Sequence, residues 1–245
     1  MTTANNVICM KWGTAYGADD VNTLYRMVQR HLSLPHRFVC FTDDPAGLDP
    51  GIEHFPLPKV DVPEWLHARG EAWLKLGTFV NPLADLEGTA LFLDLDIVIV
   101  DGIDGFFEHP GEFCIIHNWT HPHRIVGNSS VYRFQVNSLD WILQRYHADP
   151  EGAKRDYRTE QAFLSHQLAD AGHALTYWPA EWCVSFKKHC LPPRLLAPFF
   201  VARKPKGARI IAFHGHPKPD EAIRGEWKGR WRAMRPARWL AEYYR

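Results

Sequence analysis

Short apolar runs separated by polar, Pro-bearing and Gly-bearing stretches pattern this chain from end to end. Residues 7–11 and 38–41 have strand character. Between them Val21, Leu24, Tyr25, Val28 and Leu32 recur at the spacing that lines one face of a helix, and Asp19 or Asp20 stands where that helix is capped. Strand, helix and strand, followed by the turn Thr42-Asp43-Asp44-Pro45, predict a βαβ unit and an α/β sheet. A Pro-rich passage, 56–63, leads into an expected helix at about 69–80. Apolar runs return at 91–100, 113–116 and 130–134 as further strands. Helices are expected at 139–146 and about 159–171, the second capped by Thr159 and stopped by Gly172. A late strand is expected at 210–213, and Pro236 suits the first turn of a closing helix with Trp239, Leu240 and Tyr243 on one side.

No internal repeat, low-complexity tract or linker interrupts this order, so residues 1–245 are expected to form one domain, with about 220–245 as a basic, Trp-rich extension packed on it. A chain of 245 residues that is 46% hydrophobic buries a substantial core. Its 28 basic and 28 acidic residues cancel, which argues against a nucleic-acid partner. Charge is uneven locally: residues 224–245 hold seven basic and two acidic side chains, interleaved with Trp227, Trp231 and Trp239. That pattern fits either peripheral contact with an anionic membrane or indoles packed under Arg stems. No apolar run reaches the roughly 18 residues of a bilayer span, and the N-terminus lacks a signal-peptide pattern, so a cytoplasmic protein is expected. Five cysteines with no Cys-x-x-Cys pair suggest reduced, mostly buried thiols.

The run Leu91-Phe92-Leu93-Asp94-Leu95-Asp96-Ile97-Val98 changes the picture most. It sets two carboxylates, two residues apart, in an apolar strand context, where an unpaired buried charge costs several kcal/mol. Hard oxygen ligands suit Mg or Mn, and a metal held on one or two carboxylates commonly also holds substrate phosphates. Pairing with buried Lys or Arg, or capping of the following loop, explains the acids equally well. A second strand end supplies His214 in Phe213-His214-Gly215-His216-Pro217-Lys218-Pro219. In an open α/β sheet such strand ends converge at the ligand site.

This order of motifs resembles the GT-A fold nucleotide-sugar glycosyltransferases, closest to the glycogenin and galactosyltransferase-like group called family 8. The motifs are an early βαβ, Asp-x-Asp after an apolar strand, an Asn-Ser-Ser strand, an acid-Gln pair opening a helix, and the late His-Gly-x-Pro-Lys-Pro. The resemblance implies a single GT-A-like (Rossmann-like) α/β domain with a central mixed, mainly parallel sheet flanked by helices. It implies Mn (or Mg) held by Asp94, Asp96 and His214, with Lys218 on the diphosphate, and Lys75 as the helix lysine facing the acids. Lys11, Trp12 and Tyr16 fall where the nucleotide base is received. Asn128, Ser129 and Ser130 fall where the donor sugar lies, and Gly215 and, on weaker grounds, Lys187 fall near the phosphate or sugar. Glu160 and Gln161 occupy the acid-Gln position and are, with Lys218, the catalytic residues that the resemblance implies, Glu160 as nucleophile or as orienter of the sugar; relatives carry Asp there, and Glu is one methylene longer. The expected activity is transfer of a sugar, with retention, from a UDP-sugar to a saccharide, lipid-linked or other hydroxyl acceptor.

Two rivals remain open at this stage. Haloacid-dehalogenase-like phosphohydrolases also carry Asp-x-Asp after an apolar strand, and a non-catalytic nucleotide-sugar-binding module keeps the fold without turnover. His117, His121 and His123 suggest zinc, but their loop-like spacing has no confirming Cys or acid, and a variable acceptor-side loop fits them better.

Overall fold

The computed structural model describes residues 4–62, 71–228 and 233–245. Its strands are β1 (Asn5–Lys11), β2 (Arg37–Thr42), β3 (Glu53–Phe55), β4 (Thr89–Leu93), β5 (Ile97–Ile99), β6 (Phe113–His117), β7 (Gly127–Gln135), β8 (Leu175–Tyr177), β9 (Cys183–Ser185) and β10 (Ile210–Ala212). Seven form a mixed, mainly parallel sheet in the order β3-β2-β1-β4-β7-β6-β8. Only β7 runs against its neighbours β4 and β6. A small second sheet, β5-β10-β9, pairs β10 antiparallel to β5 and parallel to β9.

The pleat of β1 explains the layers, because successive side chains point to opposite faces. Val7 and Cys9 join Leu24, Met27 and Val28 of the helix Ala18–His31 and the apolar residues of the small sheet. Ile8 and Met10 join Trp73, Phe79, Tyr146 and Phe163 on the other side. Burial on both faces is what makes the strands read as continuous apolar runs. The five cysteines are free and buried, as expected.

Several elements differ from the pattern reading for local reasons. The first helix is capped at Gly17, not at Asp19 or Asp20; Gly17 N–H donates to Asp20 Oδ2 at 2.8 Å from inside the first turn. The helix expected at 69–80 begins outside the described residues, and Glu71–Phe79 is 3-10 rather than α. There Thr78 Oγ1 donates to Lys75 O at 2.8 Å, a local bond that competes with the α ladder, and Gly77 sits against Pro58 and Val60. The run 91–100 is two strands in two sheets. The strand expected at 130–134 extends to Gly127–Gln135 because its polar residues find partners on the helix Glu160–Asp170. That helix is capped as expected, Thr159 Oγ1 accepting from Ala162 N–H at 3.3 Å. Thr159→Ala should lower stability by about 1 kcal/mol in urea unfolding, with no change in the folded signal.

Among the described residues of the C-terminal segment beyond Arg224, the regular part is a 3-10 turn over Arg238–Glu242 and not an α-helix. Trp227 and Trp239 pack against the core and donate their indole N–H groups to His216 O at 3.1 Å and Ala202 O at 2.8 Å. Trp231 lies outside the described residues. Two of the three indoles therefore serve the fold, and the expected lipid contact through this segment has no support. No described helix is long and apolar enough to cross a membrane.

Candidate active site

Asp94 and Asp96 sit in the turn that carries the chain from the large sheet to the small one. Each flanking ladder runs one bond past its last strand pair. Asp94 N–H donates to Ser130 O at 2.9 Å, which continues the β4–β7 pairing and draws Asn128-Ser129-Ser130 alongside. Phe213 N–H donates to Asp96 O at 2.9 Å, which continues the β5–β10 pairing and brings the backbone of His214 beside the acids. Motifs more than thirty residues apart in sequence meet here because two sheets share one turn.

Lys75 reaches Asp94 with both carboxylate oxygens in range, at 2.6 and 2.8 Å, from the 3-10 helix. Burial lowers the affinity of Lys75 for its proton, but the charges of Asp94, Glu160 and Asp96 outweigh it, and the ammonium is held above its ordinary range. Asp96 receives Tyr16 O–H at 3.2 Å and is pushed up from 3.8 to about 7, by burial first and then by Asp94. Burial and the same two acids raise the Tyr16 hydroxyl strongly, so it stays a donor. One ammonium thus faces three acids, and negative charge is in surplus.

A cavity of about 290 Å³ opens on this floor, lined by Met10, Trp12, Tyr16, Lys75, Asp94 and Asp96 among others. Lys218 Nζ lies 4.1 Å from the centroid of the Tyr16 ring and donates to Ala15 O at 3.0 Å, at the edge of the same space. Its loop is fixed by Glu221, which accepts from Lys218 N–H at 2.9 Å and from His216 Nδ1 at 2.7 Å.

Other expected site residues stand apart. Lys11 is buried and pairs with Asp43 at 3.8 Å, with no place in the cavity lining. His214 Nε2 shares a 2.7 Å hydrogen bond with Ser185 Oγ, and its ring stacks on Trp119. Burial and the Lys187 charge lower its pKa, which favours neutral imidazole. Lys187 donates to His214 O, and Gly215 adopts φ +68° beside it. Glu160 is buried and accepts from Ser129 Oγ, while Gln161 Oε1 accepts from Ser129 N–H at 3.2 Å.

Asp94 and Asp96 suit a hard divalent cation in donor chemistry, with Lys75 already paired to Asp94 and no cation paired to Asp96 among the described residues. His214 does not join them: among the described residues no group of three His, Cys, Asp or Glu side chains is placed to hold a metal. His117, His121 and His123 form no such group either; the His117 ring packs tilted against Tyr177 and the other two are exposed. Sequence reasoning missed Trp119, which no periodicity marks, and Glu221. The Lys218-Pro219-Asp220-Glu221 spacing, an acid at the third helical position, was the available signal for the latter.

No protein-family profile and no curated protein sequence matches this chain. Solved structures do. A galactosyltransferase LgtC in complex with donor and acceptor sugar analogs superposes with a TM-score of 0.59 at 12% identity. An active-site Gln-to-Glu mutant of LgtC gives a TM-score of 0.60 at 12% identity. In both, the match covers 97% of this chain and 94% of the other. The chain therefore has the GT-A fold of these structures.

Proposed function

We propose that this protein is a metal-dependent glycosyltransferase that moves a hexosyl group, with retention, from a UDP-sugar to a saccharide, lipid-linked or other hydroxyl acceptor. The observation that carries the reading is the pair Asp94 and Asp96 at a junction of two sheets, flooring a cavity walled by Trp12 and Tyr16 and edged by Lys218. Aromatic walls suit a nucleobase, and a cation beside two acids that favour a metal suits a diphosphate. The GT-A fold agrees with this use of the space.

Asp94 and Asp96 would hold Mn or Mg, which when bound supplies charge neutralisation for the departing diphosphate. The chain's own groups do the rest. Lys218 places a second positive charge where the leaving group gains negative charge, the point at which fixed charge accelerates most. Lys75 holds Asp94 in place through the ion pair. Tyr16 keeps the Asp96 carboxylate oriented through its O–H. Glu160 is already engaged by Ser129 and buried; it braces the Asn128–Ser130 segment beside the sugar position.

The test is release of UDP from a panel of UDP-hexoses, with Mn, at a rate raised by added saccharide acceptor. Turnover of one donor supports the transferase and excludes the non-catalytic module. Absence of UDP release across the panel, in protein that binds UDP, would leave the binding module as the better reading.

A further inference from the structure

Large apolar side chains exposed to solvent concentrate in one seven-residue stretch. Leu195 is 86% exposed, Phe199 69%, Phe200 52%, Leu196 45% and Val201 42%; elsewhere among the described residues only Ile125 reaches this class. The stretch is well built. Leu196 and Ala197 N–H both donate to Pro193 O, Phe199 and Phe200 N–H both donate to Leu196 O, and Arg203 N–H closes onto Cys190 O at 2.9 Å. Ala197 and Ala202 are buried as anchors, and Trp239 Nε1 donates to Ala202 O. Small residues point in and large apolar ones point out, the reverse of what a loop needs for solubility.

Along the sequence, charge around the stretch has one sign, with Glu181, which packs beside Gly207, as the nearest acid in the chain before it. Between Glu181 and Asp220 the sequence holds no Asp or Glu and eight Lys or Arg, in a chain whose net charge is zero. Lys188, Arg194, Arg203 and Lys206 flank the apolar tip and make no ion pair with any described residue. An apolar tip ringed by cations matches the boundary of an anionic bilayer, where Leu and Phe enter the acyl region and Lys and Arg meet headgroup phosphates. A cavity of about 310 Å³, lined by Lys187, Leu191, Arg194, Pro198 and Trp227 among others, lies at the base of the loop. Lys187 of this lining also donates to His214 O.

We propose that residues 194–206 form a docking surface for anionic membranes, with Leu195, Phe199 and Phe200 as the inserting side chains. The surface is distinct from the C-terminal Trp segment. Vesicle binding is independent of sugar transfer, so loss of either property leaves the other standing.

The experiment is co-sedimentation of the full chain with vesicles of phosphatidylcholine alone and of phosphatidylcholine with phosphatidylglycerol, alongside sedimentation velocity without lipid. The expected result is binding to the anionic vesicles only. Binding should weaken by about tenfold or more in Leu195→Glu/Phe199→Glu/Phe200→Glu and in Arg194→Glu/Arg203→Glu/Lys206→Glu. All six side chains are exposed or make no ion pair, and unchanged melting temperatures would confirm intact folding. Absence of binding to anionic vesicles, equal binding by the variants, or a dimer that the apolar variant dissolves while lipid binding is lacking would each overturn the proposal.

Discussion

Asp96→Asn is expected to raise the melting temperature of the metal-free protein while cutting sugar transfer by about a thousandfold or more. The two effects share a cause. Asp96 is forced toward its protonated form by burial and by Asp94, since Lys75 is committed to Asp94 and Tyr16 supplies only a neutral donor. An unfolded carboxyl ionises near 3.9, so between about pH 4 and about 7 the unfolded chain releases a proton that the folded chain retains. Stability from this group is therefore whole below pH 4 and falls as pH rises toward 7. The rise from 3.8 to about 7 corresponds to an upper bound of roughly 4 kcal/mol. Melting followed from pH 5 to 8 without metal should decline for the wild type and be flatter for Asp96→Asn. Saturating Mn and UDP should restore the wild type above the variant at pH 8. A wild type with no such decline would mean that Asp96 is not strained in the metal-free protein. A site kept unstable until it is loaded is the usual cost of placing like charges together for function.

Lys75→Ala is expected to destabilise the protein by about 2–3 kcal/mol, because it strands Asp94 at the end of β4. The two side chains are only 13% and 18% exposed, so Asp94 gains little from water when its partner goes; that residual exposure places the effect below the 3–5 kcal/mol of a fully enclosed pair. Lys75→Ala/Asp94→Asn should recover most of the loss, since the neutral amide removes the orphaned charge. Urea unfolding of the four proteins in the cycle measures the coupling. Additive single effects would show that the 2.6 Å contact contributes nothing to folding.

The sequence shows the fold class clearly, because apolar periodicity speaks directly to burial. The βαβ start, the apolar run that bears Asp94 and the helix after Thr159 all follow from residues whose environment is decided by their own side chains. What it conceals is tertiary in origin. The separation of 91–100 into two sheets leaves no mark, since Leu93 and Ile97 are equally apolar on either side of the turn. The polar start of β7 looks like loop until Glu160, Gln161 and Ser165 are seen to satisfy it. The candidate site divides the same way. Asp94, Asp96, Tyr16, Lys75 and Lys218 gather around one cavity, whereas Lys11 has its own partner and His214 turns to Ser185. A side chain's choice between two nearby partners is set by geometry that spacing along the chain does not encode. Leu195 and Phe199 are the converse case: large apolar side chains that lie on the surface while the small Ala197 and Ala202 beside them are buried.

The most direct measurement is calorimetric titration of UDP, with GDP as control, into the purified protein with and without Mn. Micromolar binding of UDP that requires Mn and is lost in Asp96→Ala is the expected result. UDP binding of equal strength without metal, or an Asp96→Ala variant that binds UDP and Mn as the wild type does, would contradict the assignment of the nucleotide site to Asp94 and Asp96.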